Sequence, residues 1–181
     1  AEGMIAANPE AAKEIATSMA EANPEIAGEV AAGLAESAPA SAVEAATAMA
    51  EANPEIAGDV AGGVASKAPQ VAAATAGSIA EDSPDLAGDI AAGVAKAAPA
   101  MTGSVVANLA ESNPEGAAEM VATAVSAAPE AAANIAQGVI AADPSAAADV
   151  AAQVAEINPE AAADVAGGMA QVAPSLAGDI A

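Results

Sequence analysis

The chain contains no cysteine, histidine, arginine, tryptophan, tyrosine or phenylalanine. Their absence excludes disulfides, thiolate and imidazole chemistry, zinc sites of the usual kind, and any aromatic platform on which a base could stack. A chain without cysteine fits any redox compartment. Positive charge is almost as scarce. Lys13, Lys67 and Lys96 stand against 25 acids, for a formal net charge of −22. Phosphate backbones and anionic bilayers would be repelled, so no nucleic-acid partner is expected. Long apolar runs are missing as well. The 55% hydrophobic content is mostly alanine, and prolines and acids interrupt it. No stretch approaches the roughly 18 apolar residues of a membrane span. The opening residues show no leader pattern, which a processed chain would share.

What is present is a ladder. Proline falls at 9, 24, 39, 54, 69, 84, 99, 114, 129, 144, 159 and 174, every step 15 residues, with none elsewhere. Numbering the repeat with proline at position 3 gives a half-repeat at 1–6, full repeats over 7–171 and a partial repeat at 172–181. Together they form a single repeat domain over 1–181. Alanine-rich acidic chains can be disordered. A disordered chain has no reason to hold proline, aliphatic and acid positions in register across twelve copies.

Each proline reads as a helix start. Position 2 carries a candidate cap in Asn8, Asn23, Asn53, Ser83, Asn113, Asp143 and Asn158. Proline at the first helical position loses no hydrogen bond, and an acid often follows at position 4, where the helix dipole favours it. The residue before proline avoids the α conformation, so the previous helix stops by position 1. The spacing predicts about 11 to 12 helical residues per copy, joined by about three-residue connections, so that successive helices run antiparallel.

At about 100° per residue, positions 5, 9 and 13 form an aliphatic stripe, as in Ile26, Val30 and Leu34. Positions 6, 10 and 14 form an alanine stripe beside it. The two cover about half the circumference, which implies neighbours on more than one side. Glycines gather at position 7 (Gly28, Gly58, Gly88, Gly103, Gly178) and position 12 (Gly33, Gly63, Gly93, Gly138, Gly168). Close backbone packing explains them best; the rival reading is a left-handed cap at position 12. Position 2 alternates between polar and alanine through much of the chain, a two-copy rhythm. The expected fold is all-α: an α-solenoid of about twelve 15-residue single-helix repeats, paired as antiparallel helical hairpins in two layers. Six hairpins at roughly 8–10 Å each would make a rod about 50–60 Å long. The methionines sit mostly at core positions and read as core fillers.

All of the 25 acids except Glu2, Asp82 and Asp143 fall at positions 4, 8 and 15. These positions lie within about 60° of one another on a helix, so each helix presents an acidic edge opposite its apolar half. A solvated face that keeps the rod soluble is the plain reading. Glu10, Glu14, Glu25, Glu29, Glu55, Asp59, Asp85 and Asp89 are candidates for a cation row that would take Ca2+ loosely, although no dedicated calcium loop is present. Adaptation to high salt is compatible with the same surface. An ice or mineral face would favour an aligned threonine row. Thr17 and Thr47 share a position without completing one.

No catalytic constellation is visible. The carboxylates repeat identically without a neighbouring base or nucleophile. Ser18, Ser78 and Ser104 have no histidine partner, and Gly62–Gly63 lacks a phosphate-loop pattern. The chain is expected to be no enzyme, to need no cofactor and to take no small-molecule substrate. The first expectation is a structural or assembly protein, a rigid acidic rod that self-associates end to end, with an extracellular or cell-surface filament as one setting. The alternative is a binding module whose repeated face meets cations, ice, a mineral or a partner protein. The first and last residues look like complementary parts of one copy. They imply either a segment of a longer array or chains that stack head to tail.

Overall fold

The computed structural model describes residues 8–172. The half-repeat 1–6 and nearly all of the partial repeat 172–181, with Gly178 and Asp179, lie outside the described residues.

Eleven α-helices follow one another, one per copy: α1 (Pro9–Ala22), α2 (Ala27–Ser37), α3 (Pro39–Ala52), α4 (Ala57–Lys67), α5 (Pro69–Asp82), α6 (Ala87–Ala97), α7 (Pro99–Ser112), α8 (Ala117–Ala127), α9 (Ala132–Ala142), α10 (Ala147–Ile157) and α11 (Pro159–Val172). The helices are longer and the connections shorter than the spacing predicts. Helical backbone runs from each proline to position 1 of the next copy, leaving one residue between. That residue is extended, with φ from −131° to −150° and ψ from 67° to 94°, as a residue preceding proline should be. Its own N–H still donates to the last turn of the previous helix, as Asn23 does to the Met19 carbonyl at 3.0 Å. One residue can therefore reverse the chain without orphaning a backbone donor.

The two-copy rhythm is structural. Copies 2, 4, 6, 8 and 10 begin with a three-residue 3-10 turn, such as Pro24–Ile26 or Pro54–Ile56, before the α-helix. Copies 1, 3, 5, 7 and 11 are α-helical from the proline onward. Copy 9 departs from its class and starts with a 3-10 turn at Pro129–Ala131. Five of the seven candidate caps work. Asn8, Asn53, Asn113, Asp143 and Asn158 accept from backbone N–H groups one turn or less ahead. Asn23 and Ser83 make no such bond; there only the backbone carbonyl accepts, from Ile26 and Leu86, as those of Asn53 and Asp143 also do from Ile56 and Ala146.

Each helix packs most closely on the helix two places along. The even-numbered helices form one layer and the odd-numbered ones the other, with antiparallel consecutive helices crossing between layers. The core is continuous from Ala12 to Met169 and is built of alanine with Val, Ile, Leu and Met, including the fully buried Met49, Ile79, Ile90, Leu109 and Ile135. Two threonines are buried, and both return their hydroxyls to the carbonyl four residues back, Thr75 to Val71 and Thr102 to Ala98.

The glycines are the reason the layers close. No described glycine has positive φ, which removes the left-handed cap reading. Each described position-7 glycine instead lies against position 12 of the helix two places on, 35 residues later, as Gly28 against Gly63, Gly58 against Gly93 and Gly103 against Gly138. A Cβ on Gly63, Gly93 or Gly138 would collide with the partner glycine's carbonyl. Only a missing side chain on both helices permits that approach, at a helix-propensity cost of about 1 kcal/mol per glycine.

Candidate functional site

The described acids stand where the helical wheel puts them. Glu10 and Glu14 on α1 are exposed on the odd layer. Glu25, Glu29, Glu55, Asp59, Asp85 and Asp89 are exposed on the even layer or on the turns leading into it. Position 4 and position 8 thus make two parallel files on the even layer, while on the odd layer Gln70, Ala74, Ala100 and Ser104 interrupt them. The files do not converge: among the described residues no group of three or more acids is placed to hold a metal ion. The acid with a displaced pKa is none of these. Asp143, the cap of the turn before α10, accepts from Ser145 Oγ at 2.6 Å and Ser145 N at 2.9 Å. These two bonds favour the carboxylate and hold Asp143 below its ordinary value.

One depression interrupts the even layer. Between α6 and α8, a gap of about 440 Å3 is lined by Asp85, Asp89, Asn113, Glu119 and Thr123, among others. Two local changes open it. Thr123 replaces glycine opposite Gly88, and Gly116 replaces the aliphatic residue of position 5. Shallow grooves also cross the odd layer near Lys13, Thr17 and Glu51, and near Val43, Thr47 and Ser78. All are open to solvent.

The two ends of the rod differ in a way that periodicity alone does not reveal. The aliphatic positions 9 and 13 of each helix face the preceding helices. The alanine positions 10 and 14, with glycine positions 7 and 11, face the following ones. The ends expose this polarity. At the α1 end Ile15 is 55% and Met19 43% exposed, whereas their counterparts Thr75 and Ile79 on α5 are 0% and 2% exposed. At the α11 end the alanine stripe opens: Ala155 is exposed and Ala151, Ala166 and Ala170 are half-buried, while Ala91 and Ala95 within the rod are covered. Ile157, at the end of α10, is also exposed, so both ends of the described array carry apolar surface, aliphatic at α1 and alanine with one isoleucine near α11.

Comparison with protein-family models, with curated protein sequences and with solved structures finds no match.

Proposed function

We infer that this is a structural, self-assembling protein: a stiff acidic rod whose ends join copies head to tail. The observation that carries this reading is the unlike apolar surface at the two ends of the described array, Ile15 and Met19 at α1 and an alanine stripe with Ile157 near α11. A contact between unlike faces is heterologous and, where its rotation does not close a ring, propagates as a filament. The acid files suit the same role. Facing outward, they keep rods from clumping side by side and leave the ends, where apolar side chains are exposed, as the favoured contact. No helix among the described residues is long and apolar enough to cross a membrane, so burial of the exposed apolar positions falls to protein contacts.

Sedimentation velocity over a hundredfold range of concentration tests the reading, with electron microscopy of the most concentrated sample. Species growing in steps of one chain, seen as thin fibres, are expected. A single monomer boundary throughout would defeat it. Since each copy carries −22 charges, association should strengthen as salt rises from about 0.01 to about 0.15 M, where the Debye length falls from about 30 to about 8 Å.

A further inference from the structure

The acid files break off in one place on the odd layer, and that place lies inside the array, flanked by α3 and α11. Position 8 is an acid on every described even helix: Glu29, Asp59, Asp89, Glu119 and Asp149. On α5, α7 and α9 it is Ala74, Ser104 and Asn134, all exposed. Gln70 and Ala100, at position 4, are exposed and uncharged as well. Between α7 and α9 runs a groove of about 500 Å3 whose lining, Ser104, Ala107, Asn134 and Gln137 among it, holds no charged residue. Pressing two copies together through the even layer would strip water from a carboxylate on every helix, with three lysines in the whole chain to answer them. The centre of the odd patch carries no such penalty. Its Asn and Gln amides donate and accept at once, so they can pair with copies of themselves.

We propose that this patch on α5, α7 and α9 is a pairing surface for a second copy of this chain, with the two odd layers back to back about a two-fold axis along the rod. That axis lays each helix antiparallel on its own counterpart, so position 4 faces position 15 and position 8 faces position 11. Ala74 then meets Gly77 of the second copy, Ser104 meets Ala107 and Asn134 meets Gln137. The acids at the rim fall on uncharged residues: Glu81 on Gln70, Glu111 on Ala100, Glu130 on Ala141. A two-fold axis along the helices would instead set Glu111 on Glu111, and an even-layer pairing would bury Asp59 and Asp89. Small residues at positions 8 and 11 of α5 and α7 let the copies approach toward the short end of the usual helix spacing of about 8–10 Å. Three helices at that spacing, over about 17 Å of each, give about 450 Å2 per copy, roughly half of a standard interface. A single pair is therefore weak, and copies joined end to end would strengthen it by presenting one patch per chain.

The contact uses no residue at either end of the array, so its test is separable from the end-to-end reading. The chain has no cysteine, so single cysteines report proximity without background. Ser104→Cys protein is mixed with Ala107→Cys protein at millimolar concentration in about 0.15 M salt under a mild copper–phenanthroline oxidant. The same is done with Ala148→Cys and Ala152→Cys, exposed at positions 7 and 11 of α10 on the even layer. The odd-layer pair is expected to form mixed dimers severalfold faster; equal rates would overturn the proposal. Asn134→Glu, added to both odd-layer cysteine chains, gives α9 the position-8 acid that α8 carries as Glu119. It should slow cross-linking to the even-layer rate, whereas Ala152→Glu, the same charge on the other layer, should leave it unchanged. Fast cross-linking that survives Asn134→Glu also overturns the pairing. Should Asn134→Glu fail to fold, the comparison of the two cysteine pairs decides alone. Slow cross-linking with thin fibres still growing overturns the pairing and leaves the end-to-end reading standing; a monomer under every condition overturns both.

Discussion

The two layers are not equivalent, and they exchange roles along the rod. From α2 through α6 the even layer is the tight one, held by the Gly28–Gly63 and Gly58–Gly93 pairs. The odd layer beside it has Lys13 opposite Ala48 and Val43 opposite Ser78 at the corresponding positions. From α7 onward the odd layer tightens through Gly103–Gly138 and Gly168. The even layer stays close between α6 and α8, where Thr123 stands opposite Gly88, and loosens only past α8, with a markedly thinner contact between α8 and α10. The same 15-residue unit thus makes two kinds of seam, and the residues at positions 7 and 12 decide which. The comparison teaches that the repeat period sets the path of the chain, while pairs 35 residues apart set how closely its turns are drawn together.

The contrast can be broken most severely at Ile90, fully buried on α6 in the tight seam. Ile90→Asp would leave an unpaired charge among aliphatic groups and should cost more than about 4 kcal/mol. The neighbouring Asp89→Ala, on the exposed face, should stay within about 0.5 kcal/mol. Equal losses in thermal melts of the two variants would mean that the faces are misassigned.

Next in size is Gly93→Ala. Its methyl would strike the Gly58 carbonyl, so α4 and α6 must separate, at about 1–3 kcal/mol. Gly33→Ala is the matched control at the same repeat position, with no described atom within 4 Å of its Cβ. It should raise stability by about 1 kcal/mol, the helix-propensity difference alone. Urea titrations giving the two substitutions the same sign would refute the glycine-seam account. Gly88→Ala sharpens the comparison further. Its Cβ would meet Thr123 at 3.5 Å, an ordinary contact, so this seam should accept alanine with little loss or a small gain of up to about 1 kcal/mol.

The smallest expected effect is a pH dependence at the turn before α10. Asp143 is held below its ordinary pKa in the folded chain. Its contribution is therefore complete above the unfolded value and is lost as pH falls through the lower folded value. The melting difference between the parent chain and Asp143→Ala should shrink between about pH 5 and about pH 2. A difference that is constant across that interval would show that the carboxylate's charge has no part in the cap.

Much of this architecture was legible in the proline ladder. Proline both starts a helix and forbids the residue before it from continuing one, so helix number, length class and antiparallel order follow from a single residue type. The acidic edge was legible because three positions fall on one side of a helix. The wheel did not reveal which neighbour each stripe meets. An angle about the helix axis does not distinguish the helix before from the helix after, and only packing shows that Ile15 and Met19 look backward while Ala166 and Ala170 look forward. Nor did capping residues predict the turn type: Asn8 and Asn158 precede continuous α-helices, whereas Asn53 and Asn113 precede 3-10 turns. The glycine seams did leave a signal. Gly28 and Gly63, Gly58 and Gly93, and Gly103 and Gly138 share a 35-residue spacing, which two copies plus the five steps from position 7 to position 12 would explain.

The exchange of tight seams between layers has a mechanical meaning. A two-layer ribbon drawn together more on one side bends toward that side, as a strip of two bonded metals does on cooling. Here the close contacts run along the even layer as far as α8 and along the odd layer from α7 to α11, so such a bend would change sides past α8. Copies joined end to end would carry that reversal as a shallow wave, one undulation per chain. The fibre would bear a ruler mark at intervals of one molecule, written by which glycines were kept.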